Sequence, residues 1–75
     1  MKTFYWDFFG PNAQPTAQHF LVHLERFLAE NACADCATGL ASERDGHTAV
    51  WCRSAPASEA TILRALRPRR SETRD

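Results

Sequence analysis

The chain opens on a run that is apolar on both of its faces. Residues 3 to 9, Thr-Phe-Tyr-Trp-Asp-Phe-Phe, are dense in β-formers and stop at Gly10-Pro11-Asn12, which predicts a first strand. Side chains alternate across a strand, so Phe4, Trp6 and Phe8 share one face while Tyr5, Asp7 and Phe9 share the other. A turn containing Pro11 and Pro15 follows, with Thr16 as N-cap. Phe20, Leu21, Leu24, Phe27 and Leu28 then recur at helical spacing and predict an amphipathic helix over residues 16 to 32. His19, His23, Arg26 and Glu30 fall on its more polar side.

Two short alternating runs, 38 to 43 and 48 to 53, flank Arg44-Asp45-Gly46-His47. Asp-Gly between such runs signals a β-hairpin, giving a second and a third strand. Pro56 breaks the chain, and Ser58, Glu59, Ile62, Leu63 and Leu66 predict a short second helix that Pro68 ends. Residues 69 to 75 contain nothing apolar, so one domain is expected over 1–68 with a flexible charged tail over 69–75.

A β-α-β crossover followed by a hairpin has a standard low-cost solution in which the third strand inserts between the first two, antiparallel to both. The fold class expected is therefore α+β, a ferredoxin-like β-α-β-β-α arrangement. Its three-stranded antiparallel sheet would have the order β1-β3-β2, with both helices on one face and the fourth strand missing. That topology leaves the most aromatic strand at an edge, with one apolar face uncovered. Exposed apolar edges and patches are covered or paired in natural proteins. A homodimer is the expected remedy, its interface drawn from Phe4, Tyr5, Trp6, Phe8, Phe9 and Trp51.

Composition adds bounds. Seventy-five residues make one domain at most, and 44% hydrophobic content argues against disorder. A chain this short buries only about 60% of its unfolded surface, which leaves a marginal core. Nine basic and nine acidic residues balance to a net charge of zero, with no field to draw in nucleic acid or an anionic membrane. Arg64, Arg67, Arg69, Arg70 and Arg74 make the C-terminus locally basic, diluted by Glu72 and Asp75, and they read as a solubilising tail. No run is apolar enough to span a bilayer, and the aromatic start broken by Asp7 does not resemble a signal peptide. Three cysteines cannot close a disulfide framework, which agrees with a reducing, cytoplasmic location.

Two groups of residues carry candidate chemistry. Cys33-Ala34-Asp35-Cys36 has C-x-x-C spacing, and Cys52 returns to the same end of the sheet. Zinc is the cofactor this spacing suggests, but a closed site needs four ligands. A helix C-terminus, moreover, disfavours the thiolate. His19 and His23, at i and i+4, can chelate a divalent ion, with Asp7 or His47 as a third ligand. Asp7 among aromatics is also a candidate for a shifted pKa. No nucleophile, base and orienting group assemble, and only three glycines are present, without a phosphate-binding loop. The expected function is a small homo-oligomeric interaction or ligand-binding domain without catalysis. A divalent-metal protein is one alternative; an enzyme with its site formed across the dimer is the other.

Overall fold

The computed structural model describes residues 2–33 and 35–73. Its elements run β1 (Lys2–Phe9), α1 (Ala13–Glu30), β2 (Ala37–Arg44), β3 (His47–Ser54), α2 (Pro56–Leu66) and β4 (Arg70–Thr73). The four strands form one sheet in the order β2-β3-β1-β4, and every neighbouring pair is antiparallel. Among the described residues the fold is α+β with two helices.

The expected order β1-β3-β2 is contained in this sheet, but two expectations are corrected. A fourth strand exists, and β1 is an interior strand rather than an edge. β4 pairs with β1 from Lys2↔Thr73 to Tyr5↔Arg70, and the amide of Arg69 donates to the Tyr5 carbonyl at 2.8 Å. Arg-Ser-Glu-Thr contains no apolar residue, so no hydrophobic pattern announces it. Main-chain hydrogen bonding to β1 holds it instead, and a short polar edge strand protects a sheet from mispairing. Within the expected tail, Arg70–Thr73 is thus strand, while Arg74 and Asp75 lie outside the described residues.

Helix α1 begins at Ala13, three residues before the expected cap at Thr16. Pro15 sits in its first turn, where the missing N–H has no intrahelical partner to lose. A proline in this position opens a helix as readily as it makes a turn. At the other end Ala32 takes a left-handed φ of 57°, and the Cys33 amide closes the helix by donating to the Leu28 carbonyl at 2.8 Å. The hairpin turns through Asp45-Gly46, with Gly46 at φ 74°. The Gly10 amide donates to the Gly46 carbonyl at 2.8 Å, tying the end of β1 to this turn.

Both helices cover the same face of the sheet. Phe4, Trp6, Val50 and Cys52 pack there against Ala17, Leu24 and Leu28 of α1 and Ile62 of α2. Phe4 is fully buried, and the Trp6 indole N–H donates to the Leu66 carbonyl at 3.0 Å, so the polar end of this large ring is satisfied inside the core. Phe20 of α1 packs on both Trp6 and Phe8, with ring centroids 5.2 and 5.6 Å away. Phe4 and Trp6 are therefore core residues, closed to any interface, and only Tyr5, Phe9 and Trp51 of the six expected interface residues belong to the other face. Among the described residues, no helix is long and apolar enough to cross a membrane.

Candidate functional site on the uncovered sheet face

Among the described residues, no helix covers the second face of the sheet. Alternation and register place Tyr5, Asp7 and Phe9 of β1 there, opposite Trp51, Ala49 and His47 of β3. Gly39 of β2 pairs with Trp51, and Arg70 of β4 pairs with Tyr5. Three strands thus bring a carboxylate, an imidazole, a guanidinium and three aromatic rings onto one surface, with Gly39 of β2 beside them.

Asp7 is the centre of this surface. Its side chain is only 10% exposed, because its neighbours close over it. Arg70 grips it with two hydrogen bonds, Nε to Oδ2 and Nη2 to Oδ1, each 3.0 Å. His47 Nε2 lies 2.8 Å from Oδ1. An ionised carboxylate only accepts, so His47 donates through Nε2, and this fixes which of its nitrogens carries that proton. The Arg70 fork is the main cause holding the Asp7 carboxyl below its ordinary value of 3.8; burial opposes it, and the His47 hydrogen bond assists. Asp7 is consequently a fixed anion that positions its neighbours, and a weak proton acceptor.

The outer contacts extend the cluster. Arg70 Nη2 also reaches Glu43 Oε1 at 3.3 Å, and its guanidinium carbon lies 4.3 Å from the centre of the Tyr5 ring. Both Arg70 and Glu43 are about 40% exposed, so water screens that outer pair and it contributes little. Phe9 stacks on His47 at 4.4 Å between centroids, yet remains 66% exposed. Between β1, β2 and β3 lies a groove of about 290 Å³ lined by Thr3, Tyr5, Ala41, Glu43, Trp51 and Arg53. Gly39 permits it. A Cβ there would stand 2.5 Å from the Trp51 ring, so only glycine lets the indole lie flat across β2. Arg53 has no carboxylate within ion-pair distance among the described residues and stands as a cation at the rim.

The other sequence candidates lie elsewhere. His19 and His23 are exposed on α1, across the sheet from Asp7 and His47, so neither of those can serve as their third ligand. Cys33, Cys36 and Cys52 are free thiols gathered between the end of α1 and strands β2 and β3. Burial, helped by the thiols of Cys36 and Cys33, pushes Cys52 up to about 12 and keeps it protonated. An open cleft of about 330 Å³, lined in part by Leu28, Ala29, Cys33 and Cys36, adjoins them. Among the described residues, no three His, Cys, Asp or Glu side chains are placed to hold one metal ion. Arg64, Arg67 and Arg69 are exposed.

Sequence reasoning paired Asp7 with the aromatics but did not foresee Arg70 or Glu43 as its neighbours. Arg70 lies 63 residues away, on a strand that hydrophobic patterning does not reveal. The Asp-Gly turn was the one available signal for His47, since a two-residue hairpin ending at Gly46 starts β3 at His47 and pairs it with the end of β1.

No family model matches the chain, and no curated protein or solved structure is significantly similar to it.

Proposed function

We propose that this protein is a small homodimeric binding domain in which a second copy covers the uncovered sheet face and encloses the groove beside Trp51. The observation that carries this proposal is the half-shielded Asp7–Arg70–His47 cluster on a face that no helix covers, rimmed by exposed Phe9. A preorganised polar cluster with aromatic walls is a feature of ligand sites. The strand order, with all four strands present and both helices on one side, supports a ferredoxin-like arrangement, which leaves one sheet face free for packing.

A second copy fits this face by its charges. Asp7, Glu43, Arg70 and His47 already pair within the chain, whereas exposed Arg53 and Glu72, one on each side of Thr3, carry opposite charges that a two-fold packing can set against each other. The chain's zero net charge removes long-range repulsion between copies. Between the copies, the planar walls Tyr5 and Trp51 and the cation Arg53 suit a small aromatic anion. His47, oriented by Asp7, would stand nearby; the function proposed is binding rather than catalysis.

Light scattering on a sizing column tests the assembly. A mass twice that of the chain, reduced to one chain in Trp51→Glu, is the expected result. A wild-type monomer at high protein concentration overturns the proposal, as does a dimer that Trp51→Glu leaves intact.

A further inference from the structure

We infer that the exposed face of α1 carries a two-ligand site for a divalent transition-metal ion, formed by His19 and His23. The site is independent of the sheet face and of any dimer formed there.

Helical spacing brings the two imidazoles together. Residues at i and i+4 are neighbours on a helix surface, and these two rings meet edge to face, with centroids 4.6 Å apart and planes at 70°. Their Nε2 atoms face each other at 3.0 Å. Two imidazole nitrogens that each lie about 2.0–2.1 Å from one ion stand about 2.8–3.4 Å apart as the angle at the metal opens from square to tetrahedral. The observed separation falls inside that span, so an ion can be taken up without moving the helix backbone.

In the metal-free protein, one Nε2–H donates to the other Nε2, which requires the two rings to hold opposite tautomers. Metal binding moves that proton to Nδ1 of the same ring, and both Nε2 lone pairs then point at the ion. Both histidines are exposed, so water can fill the remaining coordination positions and the site stays open. Arg26, exposed one turn beyond His23, is the neighbouring charge on this helix and tempers the affinity. Imidazole pairs suit zinc, copper and nickel rather than magnesium or calcium, which take oxygen ligands.

The experiment uses the full chain, purified without an affinity tag and with its cysteines reduced. Zn²⁺ is titrated in while the ring nitrogens of all three histidines are followed by NMR. The expected result is that His19 and His23 Nε2 signals shift together and saturate at one equivalent, while His47, held by Asp7, does not move. In His23→Gln the affinity falls at least about tenfold, as loss of the chelate requires. Both side chains are exposed, and an unchanged far-ultraviolet circular dichroism spectrum verifies that the variant folds. Zn²⁺ that leaves both rings unperturbed overturns the inference. So does Zn²⁺ affinity that is unchanged in His23→Gln, which would assign the ion to the thiols.

Discussion

One strand presents the two halves of this molecule. On β1, Phe4, Trp6 and Phe8 enter a face sealed by two helices, whereas Tyr5, Asp7 and Phe9 enter a face that no helix covers among the described residues. The sealed face is stabilised by removal of apolar surface from water, which is non-directional and proportional to area. The open face is organised by directional contacts: a forked guanidinium, an oriented imidazole and two stacked rings. Adjacent residues of one strand therefore answer to different physics. Core residues tolerate little change in volume, and open-face residues tolerate little change in geometry or charge.

Substitutions on each face sharpen this contrast. The largest effect is expected at Phe4, which is fully buried: Phe4→Ala should cost about 3–5 kcal/mol, read as a lower urea midpoint, enough to unfold much of a marginal domain. On the open face, Arg70→Ala should cost about 1 kcal/mol, limited by the guanidinium's exposure to water. Arg70→Lys should recover only part of it, because an ammonium lacks the two-pronged geometry. An Arg70→Ala variant as damaging as Phe4→Ala would erase the distinction between the faces.

Gly39→Ala is expected to be milder, at or below about 1 kcal/mol, since the indole it displaces can swing toward solvent. Its signature is optical: Trp51 emission shifts to the red while Trp6, sealed in the core, keeps its emission. The smallest effect is a matter of pH. The Asp7 carboxyl is held below its unfolded value, so the stability it contributes is present above about pH 4 and is lost as pH falls through the lowered folded value. Asp7→Asn should flatten the acid limb of a stability-against-pH curve and leave the sealed face untouched. An unchanged acid limb would show that Arg70 and His47 do not hold the carboxylate in solution.

The sealed face was legible in the sequence and the open face only in outline, for the same reason. Leu24 and Leu28 recur at the helical period, Phe4, Trp6 and Phe8 at the strand period, and Asp45-Gly46 sits where a hairpin turn requires it. These signals are local. β4 is not local: Arg70–Thr73 joins the sheet through backbone hydrogen bonds and a salt bridge spanning 63 residues, neither of which leaves a periodic mark. Missing it placed β1 at an edge and exaggerated the aromatic surface left bare, since Arg70 lies over Tyr5 and the helices bury Trp6. The candidate site suffered in the same way. Asp7 stood out as a lone carboxylate among aromatics, while the groups that hold it came from the end of β4 and the start of β3.

The proposed function places a second copy on the open face. Its most direct test is an NMR experiment on a sample mixed from isotope-labelled and unlabelled chains, recording only contacts between copies. Contacts are expected among Tyr5, Phe9 and Trp51 of one copy and the same residues of the other, with none to Phe4 or Trp6. Contacts confined to the outer edges of β2 or β4, or no contacts between copies at all, would contradict it.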